Sequence, residues 1–201
     1  MKRGAGAALG VALAAAPLAA AVGYFSAYPD GPPPGTTGGF GEPTCVSCHF
    51  ASTPDTLGSL ALRGLPLALE PGRTYELIVE LAREDMAAAG FELSARFACG
   101  PTRGRQAGAF RMPGDDVAVT QEAGVDYVHQ TLAGSAPSTP GRARWRIEWT
   151  APVGRSVAVR FHVAANAANG DESPLGDRVY ALERAVASVT STTDRQADQS
   201  D

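Results

Sequence analysis

Two of the three cysteines and one of the three histidines in this 201-residue chain fall within five consecutive positions. Cys45, Cys48 and His49 form a Cys-x-x-Cys-His motif within the stretch GEPTCVSCHF. In one helical turn, positions i, i+3 and i+4 share a face, so both thiols and the imidazole can meet a single flat ligand. Haem suits this arrangement, because two thioether bonds hold its vinyl groups while His49 binds the iron. The motif therefore predicts covalently bound haem c.

Other interpretations of the same residues stay open. In an oxidising compartment, Cys45 and Cys48 can form a short disulfide, or one of them can pair with Cys99. A zinc site would need a fourth ligand, and the sequence contains no second Cys-x-x-Cys and no His pair. A thioredoxin-like redox site would need a βαβ setting, which the strand pattern does not offer.

A sixth position on the iron would need a further ligand. Histidine there would give bis-imidazole iron, whereas methionine would raise the reduction potential. The candidates are His129, His162, Met86 and Met112. His162 lies on the side of its strand opposite the apolar row, where a solvated sheet face is expected. An open sixth position is a further alternative.

The N-terminus predicts export. A short positive start, Met1 to Arg3, precedes an uncharged stretch from Gly4 to Ala21 that ends in an A-x-A cleavage pattern. Residues 1–21 are therefore interpreted as a signal peptide, and retention of residues 1–27 as an uncleaved membrane anchor is the alternative. Either outcome makes the protein extracytoplasmic, that is secreted, periplasmic or at the cell surface.

The composition divides the rest of the chain into three parts. Residues 22–43 are rich in Pro and Gly and are interpreted as a linker, residues 44–187 as one domain, and residues 188–201 as a disordered tail. The formal net charge is −4, and the arginines are scattered rather than clustered. This distribution gives no reason to expect a nucleic-acid partner.

Alternation of apolar and polar residues dominates the domain. It appears in RTYELIVELA, GFELSARFA, RWRIEWT, SVAVRFHVAAN and DRVYALERAV. A period of two is typical of half-buried strands, and the turn residues between these strings have the spacing of a sandwich. The sequence therefore predicts an all-β fold with two packed antiparallel sheets.

Six strings in order resemble the pattern of the bacterial choice-of-anchor V, or Reeler-like, domains. They are GGFGEPTCVSCH, LEPGRTYELIVEL, GFELSARF, YVHQT, WRIEWTAP and FHVAANAANGDESPLGDRVY, from Gly38 to Tyr180. The resemblance implies an immunoglobulin-like β-sandwich on an exported protein. Because His129 falls in the matching string YVHQT, it becomes the first choice for the sixth ligand, with Met112 as the alternative. An ordinary strand histidine packed beside Tyr127 explains His129 equally well.

The segment AANAANGDESPLGD could gather oxygen ligands around calcium. Its Asn and Asp residues are equally typical of turns that are closed by their own side chains, and the spacing is not that of an EF-hand loop. The oxygen-bearing residues are Asn166, Asn169, Asp171, Glu172 and Asp177.

Two functions of different classes follow from these patterns. One is a c-type haem protein that transfers electrons or does redox work with a partner protein in the cell envelope. The other is a non-catalytic cell-surface adhesion or interaction module, in which Cys45 and Cys48 form a structural disulfide. The sequence contains no Gly-x-Ser-x-Gly elbow, phosphate loop or His-Glu-x-x-His motif that would indicate a hydrolase or a kinase.

Overall fold

The structure is a computed structural model that describes residues 28, 30–50, 56–154 and 157–188. These residues form nine strands and two short 3-10 turns. The strands are β1 (Ser59–Arg63), β2 (Thr74–Ala82), β3 (Ala88–Phe97), β4 (Ala109–Arg111), β5 (Val117–Glu122), β6 (Val125–Gln130), β7 (Arg142–Thr150), β8 (Ala158–Ala168) and β9 (Arg178–Ala187).

The strands make two antiparallel sheets. One has four strands in the order β1-β2-β7-β4, and the other has five in the order β5-β6-β3-β8-β9. β3 and β8 are the inner strands of the larger sheet and pair over ten residues, from Ala88 opposite Ala168 to Phe97 opposite Val159. The predicted all-β sandwich is confirmed.

The core lies between the two sheets and is built from the apolar side of each alternation. Phe91 of β3 packs on Trp145 of β7 with ring centroids 4.5 Å apart, and Phe161 of β8 meets Trp149 of β7 at 4.8 Å. Both indole N–H groups are satisfied, because Trp145 donates to the carbonyl of Gly134 and Trp149 to that of Ala107. These contacts fix which face of each strand points outward.

Several sequence predictions concern residues outside the described part of the chain. The signal peptide at residues 1–21, its alternative as an anchor to residue 27, and residues 189–201 of the tail lie there. Ser188, which was assigned to the tail, is buried and exchanges hydrogen bonds with Val157. Within the described ranges, no helix is long and apolar enough to span a membrane.

Candidate functional site

On the central strands β6, β3 and β8, much of the outward face of the five-stranded sheet is polar, yet it is buried. In β3 the outward positions are Glu92, Ser94 and Arg96, whose side chains alternate with the core residues, and all three are buried. His129 of β6 and His162 of β8 are each 5% exposed. The expectation that His162 faces solvent is therefore wrong. The cover is residues 31–49, which we call the strap.

The strap is held to β3 by hydrogen bonds from its threonines. The main-chain N–H of Thr36 donates to Oε2 of Glu92 at 2.5 Å, and its hydroxyl donates to the same oxygen at 3.1 Å. The Thr37 hydroxyl donates to Glu42 within the strap at 2.6 Å and lies 3.4 Å from the hydroxyl of Ser94. The Pro/Gly-rich segment therefore packs on the domain through side-chain contacts.

A buried ionic cluster anchors the middle of the strap. Arg96 of β3 forms an ion pair with Glu42 of the strap. Arg96 also donates to the hydroxyl of Tyr127 at 2.5 Å, and that hydroxyl donates to Glu42 at 2.5 Å. The guanidinium lies 5.3 Å from the ring centroid of Phe40, whose ring meets His162 edge-on. The strap thus supplies both a carboxylate and an aromatic face to one buried arginine.

Two glycines permit the close approach of the strap. A Cβ at Gly39 would lie 2.6 Å from the ring of His162. A Cβ at Gly31 would lie 2.0 Å from Nδ1 of His129, and Gly31 also has a φ of +119°, which other residues rarely adopt. Any larger residue at these positions would collide with the sheet.

The Cys-x-x-Cys-His motif forms one turn at the end of the strap. Thr44 caps a 3-10 turn over Cys45–Ser47, and the carbonyl of Cys45 accepts from the main-chain N–H groups of Cys48 and His49 at 3.2 and 2.9 Å. The two thiols are free and differ in environment. Cys48 is exposed, whereas Cys45 is half-buried. Burial, with a contribution from the charge of Glu92, raises the pKa of the Cys45 thiol to about 12.

His49 is oriented by a carboxylate from the β8–β9 loop. Its Nδ1 lies 2.6 Å from Oδ2 of Asp177, whose side chain is 2% exposed. Asn166 donates its amide to the same oxygen at 3.2 Å. Because an ionised carboxylate only accepts, Nδ1 of His49 donates the hydrogen in this contact, which leaves Nε2 as the nitrogen that a neutral ring would offer to a ligand. The His49 side chain is 35% exposed. An imidazole held in this way has the tautomer that metal-ligating histidines usually show.

Glu92 carries the least satisfied charge of the site. It is fully buried, and among the described residues its Oε1 has no hydrogen-bond partner. Burial raises the pKa of Glu92 to about 7, although donors from Thr36 and Gly35 oppose the shift. Burial therefore favours the protonated form of this carboxyl group.

The structure does not bring the candidate sixth ligands together with His49. His129 lies on β6, while the His49 contact Asn166 lies on β8, with β3 between these strands. Both ring nitrogens of His129 are engaged, with the Thr120 hydroxyl at 3.0 Å and the main-chain carbonyl of Gln130 at 2.8 Å. Met112 and Met86 pack against the hydrophobic core. No group of three or more His, Cys, Asp or Glu side chains in the described part of the chain is placed to hold a metal ion.

The oxygen-rich loop between β8 and β9 bonds mainly to itself. The Asp171 main-chain N–H donates to the side chain of Asn169, and Asp171 accepts from the main-chain N–H of Ser173. Asp177 accepts from the main-chain N–H of Asn169 as well as from His49. This pattern matches the turn interpretation of the segment rather than a calcium loop.

Sequence reasoning missed the residues that hold the strap. Glu42, Arg96 and Tyr127 were not singled out, and Asp177 was considered only as a calcium ligand. The string GFELSARF carried no signal of a cover, because Glu92 and Arg96 alternate with apolar residues as they do on the solvated side of an antiparallel strand.

Comparisons with known proteins give structural neighbours only. No protein-family model and no curated protein matches this chain. The reeler domain of human F-spondin aligns with a TM-score of 0.46 and 21% identity, over 68% of this chain and 91% of the domain. A structure of the Reelin-N domain of F-spondin gives 0.45 and 20%, over 73% and 96%.

A third neighbour is a cohesin module from a Clostridium perfringens family 33 glycoside hydrolase, with a TM-score of 0.42 and 11% identity over 67% of this chain and 100% of the module. These likenesses concern the fold and carry no statement about function. Reeler domains are thus among the structural neighbours of this chain, as the sequence resemblance predicts.

Proposed function

We propose that this chain is an extracytoplasmic, non-catalytic interaction module, in which the turn from Cys45 to His49 clips the strap to the sandwich. The supporting observation is that residues at both ends of the motif are partly covered by the rest of the domain. Cys45 is half-buried, and His49 binds the buried Asp177. A Cys45–Cys48 disulfide would close the same turn covalently.

The clip leaves apolar side chains exposed beside it. Phe50 follows the motif directly and pairs in a parallel bridge with Leu175 of the β8–β9 loop. Both side chains are more than half exposed. These two side chains are our candidate contact point for another molecule.

Covalent haem is the second candidate, and the contact between His49 and Asp177 favours it. The donor set fits the group, because Asp177 holds the ring of His49 through Nδ1, Nε2 of the neutral ring would be the ligand atom, and Cys48 is exposed in the same turn. Cys45 and Cys48 would hold the vinyl groups, and the bound iron would supply one-electron chemistry for a partner protein in the cell envelope. His129 would have to release Thr120 and the Gln130 carbonyl before it could serve as the sixth ligand.

One expression experiment separates the two candidates. Full-length protein is made with c-type maturation machinery and examined by pyridine haemochrome spectrum and by haem stain after denaturing electrophoresis. As an interaction module, the protein should be colourless, and its mass should show either two thiols or one disulfide at positions 45 and 48. A c-type band that Cys45→Ser with Cys48→Ser abolishes would instead establish haem attachment and refute the structural clip.

The clip also makes a stability prediction. His49→Ala should lower the free energy of unfolding by about 1.5–3 kcal/mol, because the buried Asp177 carboxylate loses a charge-assisted partner. Val46→Ala, an exposed position in the same turn, should change it by less than about 0.5 kcal/mol. Urea unfolding followed by tryptophan fluorescence measures both. Equal effects of the two substitutions would contradict a structural role for His49.

A further inference from the structure

The strap covers polar atoms that it does not satisfy. Among the described residues, five buried side-chain nitrogen or oxygen atoms have no hydrogen-bond partner. All five lie on the outward face of the five-stranded sheet. Four of them belong to side chains that the strap contacts, namely Glu92, Arg96, His162 and Asn166. Each of these atoms would be hydrated if the strap moved away, and this hydration opposes docking.

The strap also makes no sheet ladder. Within the described ranges, hydrogen bonds between a main-chain group of the strap and another main-chain group join only residues 28–49. Its hold on the sheet consists of side-chain contacts such as those of Thr36 with Glu92 and of Glu42 with Arg96. The sandwich core lies on the other side of the sheet. Lifting the strap would therefore leave every strand pairing and the core intact.

The docked strap treats the two motif thiols differently. Cys48 is exposed, whereas Cys45 is only partly accessible. Any reagent or group that meets both thiols must reach Cys45 as well, and the docked position hinders this approach.

We propose that residues 31–49 alternate between a docked and a lifted position, and that the lifted position presents Cys45 to solvent while the sandwich stays folded. The strap thus controls access to one half of the Cys-x-x-Cys pair. This gating concerns any group that approaches Cys45 from outside the strap, such as a haem vinyl group, because the thiol of Cys48 lies in the same turn and moves with it. It goes beyond the proposed function, since an interaction module without haem has the same strap.

Pulse alkylation of the full-length, reduced, haem-free protein with iodoacetamide tests the gating. Mass spectrometry gives the labelling rate of Cys45 relative to that of Cys48, which serves as an internal reference. Cys45 should be labelled more slowly than Cys48 in the wild type. Gly39→Ala, which places a methyl group 2.6 Å from the His162 ring, should raise the ratio by about tenfold. Glu42→Gln, which removes the ion pair with Arg96, should raise it as well.

Matched controls and the urea dependence decide the outcome. Gly154→Ala on the β7–β8 loop and Glu76→Gln on the other sheet should leave the ratio unchanged. In low urea, Cys45 labelling should depend on denaturant far less steeply than global unfolding does, because lifting exposes little surface. Equal labelling of the two thiols in the wild type would overturn the proposal. So would Cys45 labelling that follows the global unfolding slope, or a ratio that neither strap variant changes.

Discussion

Arg96→Ala should lower the free energy of unfolding by about 3–5 kcal/mol, among the largest effects of any single substitution on the outward sheet face. Arg96 is buried and is shared by Glu42, the Tyr127 hydroxyl and the ring of Phe40. Its removal leaves the Glu42 carboxylate, which is largely covered, without a cation. Equilibrium urea unfolding measures the loss.

A surface arginine provides the comparison. Arg146 of β7 lies 3.6 Å from Glu76, and both side chains are more than half exposed. Exposed pairs contribute between zero and about 1 kcal/mol, so Arg146→Ala should have little effect. Arg96→Lys should fall between the two alanine variants, because it keeps the charge but loses the planar fork. A loss for Arg96→Ala no greater than that for Arg146→Ala would show that the cluster does not stabilise the docked strap.

As the pH rises from 5 to 8, the free energy of unfolding of the wild type should fall by up to about 3 kcal/mol relative to that of the Glu92→Gln variant. The pKa of Glu92 is raised from 4.5 to about 7 in the folded protein, chiefly by burial. Between pH 4.5 and about pH 7, Glu92 has lost its proton in the unfolded chain but keeps it in the folded protein, and this difference favours unfolding. The contribution of the Glu92 carboxyl group to the free energy of unfolding is therefore fully present below its pKa in the unfolded chain and is lost as the pH rises through 7. Urea unfolding at each pH gives the difference between the two proteins.

Other titrating groups face Glu92, and the comparison separates them from it. Cys45 and Tyr127 interact with its charge, and His129 lies opposite it on β6. Because these groups are present in both proteins, the difference between wild type and Glu92→Gln reports the carboxyl group together with its coupling to them. Glu76→Gln at an exposed position should show no comparable dependence on pH. A difference that stays constant from pH 5 to pH 8 would mean that Glu92 does not titrate in this range.

Prediction from the sequence succeeded where local pattern carries the information. The alternation in RTYELIVELA and RWRIEWT matches β2 and β7, which pair over nine residues. The short strand β4, Ala109–Arg111, has too few residues for a period of two to be recognised. The turn from Cys45 to His49 was also predictable, because its main-chain bonds join residues only three and four positions apart.

The contacts of the motif could not be predicted in the same way. His49 meets Asp177 from a loop 128 residues further along the chain, and no periodicity relates these positions. The position of His129 within YVHQT likewise does not reveal that its ring nitrogens bind Thr120 and the Gln130 carbonyl. Distances across a sheet depend on strand order, which is a tertiary property.

By itself, the sequence determined the β-sandwich class and the location of the motif, because alternation and short-range spacing are local properties of a chain. It also determined which side of each strand is polar. Only the tertiary structure decided that the polar side of β3 and β8 is buried, because a period of two separates the faces of a strand without saying what covers them. The cover is a Pro/Gly-rich segment that itself has no period, and its glycines allow it to approach His129 and His162. That packing places Cys45 inward and Cys48 outward, and so gives two chemically alike residues different environments.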